Sequence, residues 1–197
     1  LKLGAEAAYK SVMKPTEGTI LTVARVAAEK ANDAELVSKA FNKAGVLAKV
    51  VELMEKIPDD APSLCALCDL IASYALADTA DKEAVDSSQC AGTLLNTLQA
   101  HATNSALVLA LVRAIAATAV CSAACCAVYE QAHFGSVLAR LLHERVDNAV
   151  AYGAIAEAVG MLCTRSAALC EETASRAVVY DVFGVLQRVL EKHSSSG

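Results

Sequence analysis

The sequence predicts an all-α fold built from stacked, repeated three-helix units. Three observations lead there. First, the composition is 55% apolar but only 4% aromatic, with no Trp, and Ala, Val and Leu dominate. That mixture suits closely packed helices, and the chain has only three Pro, nine Gly and no alternating β-branched runs, which argues against sheets. Second, Asn104 to Val120, NSALVLALVRAIAATAV, opens with a helix-capping residue and continues as an apolar run broken only by Arg113. A helix that is apolar nearly all round must be buried between others. Third, the stretch recurs. Stepping 44 residues from Asn104 reaches Asp60, Thr16 and Asn148, all good N-cap types. The same step from Arg113 reaches Asp69, Arg25 and Glu157, the lone charge in the middle of each copy. Two columns at one period mark a repeat.

Taken in order, residues 1–13 read as a helix ended by Lys14-Pro15, because Pro cannot continue a helix and restricts its predecessor. Thr16 caps a second helix to about Lys30, and 34–43 form a third, closed by Gly45. Residues 46–57 are amphipathic, with Leu47, Val50, Val51 and Met54 on one face. Asp60 then caps a buried helix to Leu76, with Pro62 early enough that its missing N–H does no harm. The cycle returns as a short helix over 80–90, a turn at Gly92, an amphipathic helix over 93–101 and the buried helix from Asn104. It returns again as 123–133, a turn at Gly135, 136–145 and a buried helix over 148–163. Two helices, 167–179 and 182–192, close the chain. No unit can bury its apolar faces alone, so the units must stack. The expectation is one domain over 1–193, with units at 1–32 (partial), 33–78, 79–121, 122–164 and 165–193 (partial). Ser194-Ser195-Ser196-Gly197 reads as a disordered tail, and a first residue other than Met points to a piece of a longer protein.

Several function classes are excluded on the same footing. A formal net charge of -5 gives no basic footprint for nucleic acid. No uncharged apolar run reaches the roughly 18 to 20 residues of a membrane span, and no signal-peptide pattern opens the chain. The eight cysteines sit mostly among Ala and Leu on predicted helices, as small buried hydrophobes of a reducing, cytoplasmic compartment. Cys65-Ala-Leu-Cys68 is a CxxC without a paired CxxC or His at zinc spacing, while Cys121, Cys125 and Cys126 form a second cluster able to approach Cys163 or Cys170. No Gly-rich phosphate loop, HExxH or GxSxG is present, so neither enzyme activity nor a cofactor is expected. His101, His133, His143 and His193 fall near helix ends, where contact with terminal carbonyls is the expected role, and Glu171-Glu172 reads as a solvated first turn. Tyr74 and Tyr152 read as groove aromatics or as core fillers.

The turns and second helices, KAGVLAKVVELMEK, CAGTLLNTLQAH and HFGSVLARLLHE, resemble those of the armadillo repeat family, and the resemblance covers nearly the whole chain. Lys43-Ala44-Gly45 and Cys90-Ala91-Gly92 match the family's Ala-Gly turn, and His133-Phe134-Gly135 matches it in part. The resemblance implies a right-handed α-α superhelix of about three full repeats plus flanking half repeats, a solenoid whose third helices line a concave groove for a protein or peptide partner. On the core positions Val23, Leu67, Leu111 and Ile155, the family's groove Trp falls on Leu21, Cys65, Leu109 and Gly153, and its Asn on Arg25, Asp69, Arg113 and Glu157. Both signature residues are therefore replaced in every unit. The implied partner-binding column is Arg25, Asp69, Arg113 and Glu157, with Glu29, Ser73, Ala117 and Met161 one turn on. An internal salt-linked ladder between neighbouring helices is the other reading of that column. End-on stacking with neighbouring repeats of a longer chain, as a purely structural spacer, is a further expectation.

A narrower stretch, AEAAYKSVMKPTEGTILTVARVAAEK over 5–30, is similar to a segment of the dihydroxyacetone-kinase-like fatty acid kinase family. That resemblance implies a nucleotide-binding helical domain, but the family's G-D-x-D-T-G loop for magnesium is absent from this sequence.

Overall fold

The computed structural model of the chain describes residues 44–77, 80–145 and 148–182, together with 184 and 187. The helices expected over 1–13, 16–30 and 34–43, the Thr16 cap, Arg25, Glu29, the kinase-like stretch 5–30, His193 and the tail all lie outside the described residues, as does most of the helix expected over 182–192. The described residues are all-helical, with no strand among them. They form α1 (Val46–Lys56), α2 (Ala61–Ala75), α3 (Lys82–Ser87), α4 (Cys90–Ala100), α5 (Ser105–Cys121), α6 (Ala123–Gln131), α7 (Phe134–Glu144), α8 (Ala149–Arg165) and α9 (Ala167–Val179).

The long third-position helices α2, α5 and α8 start the same way. Asp60 Oδ1 accepts the Ser63 N–H at 3.3 Å, Asn104 Oδ1 accepts that of Leu107 at 3.2 Å, and Asn148 Oδ1 accepts that of Ala151 at 3.0 Å. Each bond satisfies one of the amides that a helix start leaves without a partner.

The turn before each second-position helix is also repeated, at Gly45 as its glycine predicts but not at Gly92 or Gly135. Gly45, Gln89 and His133 take left-handed conformations, with φ of 58°, 57° and 53°, and they too are 44 residues apart. Gly92 and Gly135 lie inside α4 and α7 and make no turn. The second helices accordingly begin at Cys90 and Phe134, earlier than Thr93 and Ser136, and the short helices before them end at Ser87 and Gln131. A non-glycine residue in the left-handed region costs roughly 1–2 kcal/mol, so glycine identity and turn position separate wherever the surrounding packing absorbs that cost.

The units pack side by side in chain order. α5 lies between α2 and α8, α1 packs on α4, and α3 on α6. The burial pattern follows. α2 buries Leu64, Cys68, Ile71 and Ala75, and α8 buries Ala151, Ile155, Ala158 and Leu162. Shifted by the period, these two stripes are one residue out of register, which is about 100° of helix rotation, so each turns its apolar side toward α5. α5, faced from both sides, buries both stripes at once, including Leu107, Val108, Leu111, Val112, Ala114, Ile115 and Ala119. The all-round burial expected of every third helix therefore holds for α5, while α2 and α8 bury one stripe each. Leu67, expected in the core, is only half-buried, because Leu64 and Cys68 take the inward positions of α2.

Gly135 has a different task from the predicted turn. A Cβ there would stand 2.8 Å from Glu172 Oε2 and 2.9 Å from Thr173 Oγ1, so α7 and α9 approach closely at this point. Thr173 is buried, and its hydroxyl donates to the Leu169 carbonyl at 2.7 Å, so it is not free to swing away.

Three glycines separate these roles in one urea-denaturation series. Gly92→Ala, with open space around it in a helix, is expected to stabilise by about 0.5–1 kcal/mol. Gly135→Ala is expected to destabilise by about 1–3 kcal/mol through overpacking. Gly45→Ala is expected to destabilise by roughly 1–2 kcal/mol through its positive φ alone.

Candidate functional site

Each third-position helix exposes one charged side chain at the same place in the repeat: Asp69 on α2, Arg113 on α5 and Glu157 on α8. Arg113, the one charge on an otherwise apolar helix, keeps its side chain 53% exposed and donates from Nη2 to Asp69 Oδ1 at 2.8 Å. Among the described residues, Glu157 has no cationic group within 4.0 Å. Asp69, Arg113 and Glu157 together line a concavity of about 340 Å³ that runs from α2 to α8. Ser73, Leu76 and Met161 complete its wall, with a floor of Ala72, Ala154 and Ala158. One Arg against two carboxylates leaves the concavity with one net negative charge. Leu76, 55% exposed, offers it an apolar rim.

The predicted column is thus brought to one surface as far as it is described. Ala117 is the exception, being fully buried, because α5 is covered on both sides exactly one turn past Arg113 where α2 and α8 are open. Ser73 is exposed, but its hydroxyl donates to the Asp69 carbonyl of its own helix at 2.8 Å. Cys65, Leu109 and Gly153, at the family's Trp position, do not line the concavity, nor do Tyr74 and Tyr152. Tyr74 is half-buried, with its hydroxyl accepting the Asp81 N–H at 3.3 Å.

Sequence reasoning passed over a second set of repeated contacts, at the corners between units. Ser122 ends α5, its N–H donating to the Thr118 carbonyl at 2.9 Å, and also caps α6, its hydroxyl oxygen accepting the Cys125 N–H at 3.1 Å. The same hydroxyl donates to Asp86 of the preceding short helix. Forty-four residues on, Ser166 repeats all three: its N–H to Leu162 at 2.8 Å, the Leu169 N–H at 3.1 Å, and its hydroxyl to Glu130 Oε1 at 2.5 Å. A serine hydroxyl has one proton and two lone pairs, so one small side chain ends a helix, starts the next and ties the corner to the unit before it. The columns Asp86/Glu130 and Ser122/Ser166 were present at the 44-residue step and would have been the signal.

The turns after the second helices carry a related tie. His101 Nε2 meets the Pro58 carbonyl at 2.7 Å, and Arg145 reaches Ser105. The expected contact of His101 with terminal carbonyls thus crosses to the preceding unit. Glu172 is no solvated residue: only 20% exposed, it accepts from Ser136 Oγ at 2.7 Å and stands 3.3 Å from His133 Nδ1. His143 stacks on Tyr180, with centroids 5.9 Å apart.

All eight cysteines are free, and Cys68, Cys90, Cys121, Cys125 and Cys126 are buried. Burial pushes the Cys68 thiol up to about 12. Cys125 is raised by the hydrogen bond it shares with Cys90 and by burial. Burial likewise raises Cys121 and Cys126, and Tyr129, whose hydroxyl is 2.7 Å from Thr118 Oγ1. A thiol held neutral in this way is a poor nucleophile and ligand. Among the described residues no group of three or more His, Cys, Asp or Glu is placed to hold a metal ion.

No family model matches the chain, and no solved structure matches it. Two uncharacterized proteins of Staphylococcus epidermidis are 45% identical to it over 64 residues, 32% of this chain and 11% of theirs. Uncharacterized proteins of Staphylococcus aureus are 50% identical over 54 residues, 27% of this chain and 8% of theirs. The chain thus spans about a tenth of the length of the curated relatives it matches.

Two outcomes follow from these contacts. Ser166→Ala removes a cap and strands Glu130, so thermal and urea unfolding should show a loss of about 1–2 kcal/mol. A double-mutant cycle with Glu130→Gln should show coupling between the two. For pH, Cys68 has a folded value of about 12 against an ordinary value of 9.0. Its contribution is fully present below pH 9 and is lost as pH rises toward 12, because the unfolded chain ionises first. Cys68→Ala should flatten the decline of the urea midpoint over that window.

Proposed function

We propose that the chain is a non-catalytic interaction module, a stretch of armadillo-like solenoid that holds a polypeptide segment against the surface shared by α2, α5 and α8. The observation that carries this reading is the concavity: Asp69, Ser73, Arg113, Glu157 and Met161, five positions of one repeat column and the turn beyond it, line it together. The side-by-side packing of like helices in chain order supports the solenoid reading.

The chemistry of the surface names the segment it would favour. Arg113 is already occupied by Asp69, which fixes the guanidinium and neutralises one carboxylate. Glu157 remains to accept a charge-assisted hydrogen bond from a Lys or Arg of the partner. Leu76 and Met161 would take an adjacent aliphatic side chain. A segment with a cationic residue beside an apolar one fits both.

The second reading, a structural spacer, is favoured by the Arg113–Asp69 pair itself, since two charges of the column are satisfied internally. Magnitude decides between them. An exposed ion pair is worth about 0.2–1 kcal/mol, whereas α2 and α5 already share the packing of Leu64, Cys68, Ile71, Leu107 and Ile115. The pair is too weak to be the main hold between the helices, and orienting Arg113 is the larger part of its effect.

No helix among the described residues is long and apolar enough to cross a membrane. Eight free cysteines fit a reducing compartment, and the proposal places the module in the cytoplasm.

A peptide-display selection on the wild-type chain tests the reading. Selected peptides should pair a Lys or Arg with an aliphatic residue, and Glu157→Lys should abolish their binding while circular dichroism stays helical. Arg113→Glu should weaken it. A selection that enriches nothing, or peptides that bind both variants as well as wild type, would overturn it in favour of the spacer.

A further inference from the structure

The concavity is a trough between two helices that hold the same place in their repeat units. Its wall on α2 is Asp69, Ala72, Ser73 and Leu76. Its wall on α8 is Ala154, Glu157, Ala158 and Met161. Each set has the spacing i, i+3, i+4, i+7, which is one stripe along a helix. The two stripes run alongside each other with α5 between, and α5 reaches the trough through Arg113. Along its length the trough changes character. Asp69, Arg113 and Glu157 share one repeat position and form a charged row across it. Met161 stands four residues beyond that row and Leu76 seven, about 6 and 10 Å of helix.

Resting on the interaction-module reading, we propose that the partner is an amphipathic α-helix lying lengthwise in this trough. It sets a Lys or Arg against Glu157, and an aliphatic residue four or seven positions away against Met161 and Leu76. The partner's cation meets a trough that carries one net negative charge.

The need to pair backbone groups decides between a helix and an extended segment. An extended segment brings one N–H and one C=O per residue into the trough, and each needs a partner once it leaves water. The Ala, Leu and Met side chains of the walls have no donor to give. Ser73 donates to the Asp69 carbonyl of its own helix, and Arg113 is paired with Asp69, each at 2.8 Å. A helix pairs its own backbone and asks a groove only for packing and for side-chain contacts. Its spacing also fits: residues four and seven positions apart return to one face, and the apolar walls stand at those steps from the charged row. Ala72, Ala154 and Ala158 are short, so the partner's side chains can enter between the walls.

Two peptide libraries selected against the full wild-type chain test the geometry. One presents random residues at i, i+4 and i+7 of an Ala-rich helical host. The other spaces Pro through the same random residues so that no helix forms. The helical library should be enriched, with Lys or Arg at i and an aliphatic residue at i+4 or i+7. A single Pro at the solvent-facing middle of a selected peptide should weaken its binding more than about tenfold. Glu157→Gln should weaken it about tenfold while the circular dichroism of the chain is unchanged, and Met161→Ala should weaken it as well. Enrichment of the Pro-spaced library, alone or equally, with binding lost in Glu157→Lys, would overturn the helical partner and leave the interaction module standing. Helical peptides indifferent to both Glu157→Gln and Met161→Ala would refute the placement in the trough. Enrichment from neither library would defeat the helical partner and the interaction module together.

Discussion

The serine corner is the contact on which the rest of this structure depends. At Ser122 and Ser166 a long helix stops and a short one starts with no intervening residue, and the corner survives because one hydroxyl and one amide satisfy three obligations. A buried corner with any of these groups unpaired would lose about 1–3 kcal/mol per group. Asp86 and Glu130 supply the acceptors, from the helix before, so the direction of each new unit is set against its predecessor. With that direction fixed, α2, α5 and α8 fall side by side, and Asp69, Arg113 and Glu157 come to a common face. The concavity is therefore a consequence of polar corners as much as of apolar packing.

Much of the architecture was legible in the sequence because it rests on local chemistry. Asp60, Asn104 and Asn148 cap as their side chains dictate, and the period they share placed Asp69, Arg113 and Glu157 together. Of the three turns, the one at Gly45 stands at its glycine, and the other two follow the period rather than glycine identity. Forty-four residues from Gly45 is Gln89, and from Gln89 is His133, and both adopt the left-handed turn that a glycine would have advertised. Gly92 and Gly135 lie inside α4 and α7 and make no turn, and Gly135 serves the close approach of α9 instead. Ala117 could not have been placed from the repeat alone, since its burial depends on α5 having neighbours on both sides. The corner ties were invisible for another reason: a Ser and an Asp 36 residues apart have no local signature, and only their recurrence at 130 and 166 marks them.

The site shows how a repeat column can serve two ends. Asp69 and Arg113 pair across neighbouring helices, while Glu157 is exposed to solvent. A ladder that alternates in sign leaves its last rung unpaired wherever the next unit fails to continue it. Glu157 stands on α8, the last third-position helix among the described residues.

The burial of α5 has a kinetic meaning. In a stack where each unit touches only its neighbours, opening proceeds from the ends. Among the described residues α2 and α8 each bury one stripe, whereas α5 buries two. Its amides should be the last to exchange with solvent, and the slowest of them should report global unfolding. α5 is in this sense the clock of the fold: how long the protein persists is set by how seldom both of its neighbours let go together.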